Sequence, residues 1–191
     1  MQRSLTLVAL AMLWGCSTTH VPQKIQSSST PSTTVRVKLL AFNDLHGHIE
    51  GPSGKVKLQG TKTPAGGAEY LGTRLAEIRK YSPNTVVVGA GDMIGASPLL
   101  SALFHDEPAI EALNAVGLQI NAVGNHEFDE GIEELLRMAK GGCHPKDGCL
   151  VGDDFAGARF GFLAANVFHE DTGLTVFPAY EIREFDGIRI G

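Results

Sequence analysis

Three short runs carry residue types whose spacing suits cation binding and proton transfer: Asn43-Asp44-Leu45-His46-Gly47-His48, Gly91-Asp92, and Gly124-Asn125-His126-Glu127-Phe128-Asp129. A carboxylate and an imidazole two residues apart at a strand end can face one metal ion. A carboxylate from a neighbouring strand can bridge two ions, and an asparagine oxygen from a third strand can complete the protein shell of the second. Mixed oxygen and nitrogen donors suit zinc, manganese or similar divalent ions rather than a soft thiolate site. Taken singly, each run is equally well explained by helix caps and turns, which Asp and Asn fill routinely. Three runs in register, each after a strand, are not.

The elements that must position these runs can be read from hydrophobic periodicity. Residues 35–42 alternate and then become apolar, as a strand entering a buried sheet does. Residues 51–67 are rich in Gly, Pro, Lys and Thr and read as a surface loop. Residues 68–80 place Leu71, Leu75 and Ile78 at helical spacing. A short strand over 85–88 precedes Gly91-Asp92, and residues 98–104 and 108–116 read as helices with proline in the first turn. Gly117 ends the second of these. A third strand, 118–123, leads into Gly124-Asn125-His126, and a helix is expected from Asp129 to Lys140 with Ile132, Leu135, Leu136 and Ala139 inward.

Repeated strand, loop and helix argue for an α/β layered fold. The candidate residues sit just beyond strand C-terminal ends, where open α/β sheets place their sites. After Asp153 the pattern changes to β-like pieces at 159–166 and 175–182, with a hairpin turn at Asp186-Gly187. The strand begun at Ile188 runs to the last residue, so the fold is expected to be incomplete at the C-terminus.

Composition narrows the class of partner. The chain has 191 residues, 43% hydrophobic and 19% charged, which suits one globular domain. Sixteen Lys and Arg against 21 Asp and Glu give a formal charge of -5, which argues against nucleic acid as a partner. An anionic small molecule is still compatible, because bound cations supply positive charge locally. Arg3 followed by ten uncharged residues from Leu5 to Trp14 has the length of an export signal rather than a membrane span. Leu13-Trp14-Gly15-Cys16 resembles a bacterial lipobox. The expectation is therefore a signal segment over 1–15, lipidation at Cys16, a Ser/Thr/Pro-rich tether over 16–34, and a domain over 35–191. Such a protein is exported, periplasmic or at the cell surface, and meets the membrane only through its lipid anchor. In that oxidising compartment Cys143 and Cys149 are expected to form a disulfide. The rival reading is a metal site made by Cys143, His144 and Cys149.

The runs Phe42-Asn43-Asp44-Leu45-His46-Gly47, Gly91-Asp92-Met93-Ile94-Gly95-Ala96-Ser97 and Gly124-Asn125-His126-Glu127-Phe128-Asp129 resemble the metallophosphoesterase (calcineurin-like) superfamily, and their flanks its 5′-nucleotidase branch. The resemblance covers roughly residues 35–190. It implies a layered β-sandwich flanked by helices, and two divalent metal ions such as Zn or Mn. It places Asp44 and His46 on one ion, Asp92 between both and Asn125 on the second, with His126 and Asp129 as the catalytic pair. The family's later lone His and Gly-His-x-His run are not matched by residue 191. His144 and His169 are the only histidines after His126, and neither has the surroundings of a family ligand. The implied reaction is hydrolysis of a nucleotide or related phosphate ester, with UDP-sugar hydrolysis or 2′,3′-cyclic phosphodiester cleavage as variants. The attacking group would be a hydroxide bridging the two metals, and the chain by itself would be an inactive fragment. The alternatives are a thiosulfohydrolase of the same superfamily and a non-catalytic metal-binding lipoprotein.

Overall fold

A computed structural model describes residues 34–51, 56–63, 65–150 and 152–191. The expected signal segment, Cys16 and nearly all of the expected tether lie outside the described residues. Residues 35–191 form one compact unit.

Its centre is a four-stranded, all-parallel sheet. The first strand, β1 (Lys38–Phe42), is followed by a hairpin of β2 (Val56–Leu58) and β3 (Thr61–Thr63), then helix α1 (Ala68–Tyr81) and strand β4 (Thr85–Gly89). Two helices, α2 (Leu99–Ala102) and α3 (Glu107–Val116), lead to β5 (Ile120–Ala122). A single 3-10 turn (His126–Phe128) and helix α4 (Ile132–Lys140) precede β6 (Gly161–Leu163), and a terminal hairpin joins β7 (Arg183–Phe185) to β8 (Ile188–Ile190). The sheet order is β1-β4-β5-β6. Among the described residues this is one layer of the expected sandwich.

Local chemistry explains most of these boundaries. The β-branched run Val86-Val87-Val88 favours a central strand, and Val87 is fully buried. Helix α1 stops at Ser82 because the residue before Pro83 is pushed out of the helical region. Gly117 closes α3 in the left-handed region at φ 78°. Arg79 of α1 donates to the carbonyls of Val116 and Gly117, so a cation from one helix caps the negative end of the next.

Three expectations need correction. The loop over 51–67 contains the β2–β3 hairpin, whose strands of three residues are too short for alternation to signal them and leave Val56 and Leu58 exposed. Its Gln59-Gly60 turn has both φ values positive (48° and 87°), as a tight hairpin requires. The helix expected from Asp129 starts at Ile132 instead, because Gly131 at φ 91° breaks the helical path after the 3-10 turn. The piece over 175–182 is not a strand. Only Thr175 bridges, to Phe168, and Pro178 has no N–H to continue a ladder.

The core lies on one face of the sheet. Leu75, Ile110, Leu113, Val116, Leu135 and Met138 from the helices meet Val87 and Phe162, with Leu40 and Phe42 at its margin. A salt bridge is sealed beside it, where Arg137 meets Glu107 at 2.6 Å and Glu134 at 2.6 Å. The opposite face is far less covered. Leu39 is 65% exposed, and Val86, Val88, Ile120 and Leu163 line a cavity of about 530 Å³ shared with Tyr180 and Phe185.

Candidate metal centre

Every candidate residue of the first two runs sits where β1 and β4 end side by side, and the pairing continues past the strands. The amide of Ala90 donates to Phe42, Asp44 to Gly91, His46 to Asp92 and Gly47 to Met93, at 2.9–3.1 Å. The two loops are thereby locked in register with each other. The local backbone is strained to achieve this. Asp44, His46 and Asp92 have φ of 53°, 44° and 55°, in the left-handed region that side chains other than Gly seldom occupy. Such outliers gather where a site over-determines the chain.

The third loop closes on the second through Glu127, which is only 3% exposed. Its Oε1 accepts from the amide of Met93 at 2.8 Å and from Asn121 Nδ2 at 3.1 Å. Its Oε2 accepts from the amides of Asp92 at 2.9 Å and Gly124 at 2.6 Å. A buried carboxylate serving four donors, three from two loops and one from β5, is a rivet. Gly124 permits the contact, since a Cβ there would collide with Asp92 Oδ1. The amide of His126 also donates to Asp92 Oδ1, at 3.0 Å. Periodicity does not distinguish Glu127 from any polar residue of a turn, so sequence reasoning passed over it.

These constraints bring His46, Asp92 and His126 together, with one donor atom from each lying within 4.8 Å of the others. His46 Nδ1 is 2.9 Å from the carbonyl oxygen of Gly95, which can only accept, so Nδ1 carries the proton. The lone pair is left on Nε2, which lies 3.7 Å from Asp44 Oδ1. Fixing one imidazole nitrogen on a carbonyl so that the other is free to ligate is the usual support of a metal-binding histidine. The donors of His46 and Asp92 therefore suit a borderline divalent cation, and the Asp44 carboxylate lies beside His46. Asn125 is exposed at the start of the 3-10 turn, directly beside His126.

His126 and Asp129 are paired: Nδ1 lies 2.8 Å from Oδ2, and that oxygen also accepts from the amide of Ala96 at 3.0 Å. The Asp129 carboxylate holds the His126 imidazole above its ordinary value, and His126 in turn holds Asp129 below the usual carboxylate range. The His126 and His46 rings meet edge to face with centroids 4.8 Å apart. His48 and His169 are both exposed. Cys143 and Cys149 are bonded to each other.

No family model matches the sequence. The chain is 41% identical over 192 residues to the uncharacterized protein of the pqq-V 5′ region of Acinetobacter calcoaceticus, covering 95% of this chain and 93% of that one. It is 37% identical to endonuclease YhcR of Bacillus subtilis over 85% of this chain and 13% of the relative, and 28% identical to the 5′-nucleotidase of Vibrio vulnificus over 98% and 29%. The solved NAD nucleotidase of Haemophilus influenzae superposes with a TM-score of 0.62 at 29% identity, over 81% of this chain and 25% of that one. Its relatives thus include 5′-nucleotidases, and its solved structural neighbours include an NAD nucleotidase and a 5′-nucleotidase precursor. The chain spans under a third of the Bacillus, Vibrio and Haemophilus proteins. The α/β layered architecture is that of the superfamily's solved members.

Proposed function

We propose that the chain carries the first half of a two-cation phosphoesterase site, acting on the phosphate ester of a nucleotide. The observation that carries this reading is the convergence of His46, Asp92 and His126, with His46 Nδ1 turned away onto Gly95. Two divalent cations, when bound, supply Lewis acidity to phosphoryl oxygens and acidify a water for in-line attack. Asp44 and His46 would hold one of them, Asp92 would reach both, and Asn125 would serve the second.

The chain's own residues then do three things. The riveted loops hold the ligands in place beforehand, so little reorganisation accompanies binding. His126 keeps a proton on Nε2 for the leaving alkoxide, a strong base that needs one as its bond to phosphorus breaks. Asp129 orients that ring through Nδ1 and favours its protonated form. Phosphoryl transfer depends chiefly on such positioning and charge stabilisation.

The four proposed ligands are few for two ions that each prefer four to six. We therefore expect the purified 191-residue chain to bind divalent metal but to hydrolyse AMP slowly or not at all, consistent with a site completed by further residues. Metal-dependent release of phosphate from AMP, UDP-sugars and 2′,3′-cyclic nucleotides tests substrate class. A chain extended by the corresponding segment of the Vibrio relative should gain turnover that Asp92→Ala abolishes. Metal binding unaffected by Asp92→Ala would overturn the site itself. Export, lipidation at Cys16 and the 1–15, 16–34 and 35–191 division belong to the same proposal. Labelling with a radioactive fatty acid, lost on Cys16→Ser, checks the anchor. Among the described residues no helix is long and apolar enough to cross a membrane.

A further inference from the structure

A second gathering of imidazoles and carboxylates stands apart from Asp92. Its members come from three segments: His105 from the turn before α3, Glu130 from the turn before α4, and His144 with Asp147 from the loop closed by Cys143 and Cys149. His105 Nδ1 is 2.8 Å from Glu130 Oε2, and its Nε2 is 2.9 Å from Asp147 Oδ2. The His144 ring stacks on His105 at a centroid distance of 3.8 Å, and its Nδ1 is 3.2 Å from Asp147 Oδ2. One donor atom each from His105, Glu130 and His144 lies within 4.8 Å of the others.

The chemistry of this group calls for positive charge. A carboxylate only accepts, so a His105 ring placed between two of them must donate from both nitrogens and be an imidazolium. Three carboxylates face that ring, from Glu130 and Asp147 by direct contact and from Glu134 at longer range. Glu134 is already engaged by Arg137. His105 itself is held at φ 51° and its neighbour Asp106 at φ 61°, two left-handed residues in succession that aim the ring at this spot. A divalent cation on the Glu130 side of the ring answers the same demand with twice the charge of a proton, while Asp147 keeps the proton on the opposite nitrogen. Ligands on a tetrahedral zinc at about 2.0–2.1 Å lie roughly 3.4 Å apart, so donor atoms within 4.8 Å of one another need only close in to reach it.

We propose that His105, Glu130 and His144 form a second divalent-cation site, of zinc type, that clips the disulfide loop to the body of the domain, with Asp147 holding the far nitrogen of His105. Two imidazoles and a carboxylate without sulfur suit zinc or a similar borderline ion. An ion must lie near the plane of each ring that binds it, and the two rings are within 12° of parallel. Binding therefore turns His144 out of the stack. Glu130 directly follows Asp129, so an ion here also fixes the segment that supports the His126–Asp129 pair. The two groups border one cavity of about 250 Å³, lined by His105, Glu130, His126 and Asp129.

The test separates this site from the Asp92 centre by working in Asp92→Asn protein. After stripping and dialysis against micromolar zinc, that variant is expected to retain one equivalent by metal analysis. His105→Gln with His144→Gln should remove this equivalent, and Asp147→Asn should weaken binding at least tenfold. If the double variant unfolds by circular dichroism, the exposed Asp147→Asn change carries the test alone. Zinc should also slow nicking by a lysine-specific protease after Lys146, which is exposed in the loop, and should not do so in the Asp147→Asn protein. Asp92→Asn protein that retains no zinc, or retains it regardless of these substitutions, overturns the proposal. Loss of zinc from both centres on Asp92→Asn alone would likewise show that the second site does not stand by itself.

Discussion

Glu127→Gln is the sharpest probe of how the site is assembled. The wild-type carboxylate accepts four hydrogen bonds while 3% exposed, two on each oxygen. An amide keeps one oxygen and replaces the other with a donor. Whichever way it flips, two N–H groups face an NH2: either those of Asp92 and Gly124, or those of Met93 and Asn121. Leaving a buried donor unsatisfied costs about 1–3 kcal/mol, and the two surviving bonds drop from charge-assisted to neutral strength. Because the four share one network the terms do not add, and we expect a net loss of about 3–5 kcal/mol. With a urea slope of about 2 kcal/mol/M, the unfolding midpoint should fall by about 1.5–2.5 M. The control is Glu133→Gln on the exposed face of α4, where surface changes stay within about 0.5 kcal/mol. Metal content should fall with Glu127→Gln, because either orientation of the amide frees an N–H of the Asp92-Met93 segment that carries the ligand. A midpoint within about 0.3 M of wild type, with metal binding intact, would refute the claim that this carboxylate holds the second and third loops together.

Three other outcomes follow from the same structure. His126→Ala in an active extended chain should slow turnover while leaving metal content nearly unchanged, and metal loss by elemental analysis would make His126 a ligand instead of the proton donor. Arg137→Ala strands Glu107, which is fully buried, so the urea midpoint should report a loss of about 3–5 kcal/mol, whereas the pair replaced together by apolar residues should recover most of it. Burial pushes the Asp106 carboxyl up, so its contribution to stability is full below about pH 3.8 and is lost as pH rises through its folded value. Asp106→Asn keeps an oxygen for the Gly95 amide and should be relatively more stable than wild type at neutral pH than at pH 4, as read by thermal unfolding at both.

The strands and the chemistry at their ends were legible in the sequence because period-2 and apolar runs announce buried parallel strands, and because such strands deliver their loops to one edge. Residues 85–88 and the Gly91-Asp92 run after them are the clearest case. What stayed hidden depends on contacts distant in sequence. The β2–β3 hairpin has strands of only three residues, too short for periodicity to mark, and Pro178 removed a strand that residue types alone favoured. Glu127 looks like any acidic residue of a turn until Met93 and Asp92, more than thirty residues away, are found donating to it. His105 gives no signal at all, since its partners lie on two other loops.

The left-handed backbone at Asp44, His46 and Asp92 connects these points. Strain of about 1–3 kcal/mol at each such residue persists only where surrounding structure imposes it. Here the imposition is visible: the β1–β4 ladder continued through the loops fixes Asp44 and His46, and Glu127 fixes Asp92. The protein thus stabilises, before any cation arrives, a geometry that its own sequence would not adopt locally. A site assembled in this way depends on the rigidity of its scaffold more than on its ligands, since relaxing one loop would let three residues return to ordinary φ and carry their donor atoms apart. The residues that matter most for binding therefore include some that never touch the ion, with Glu127 foremost among them.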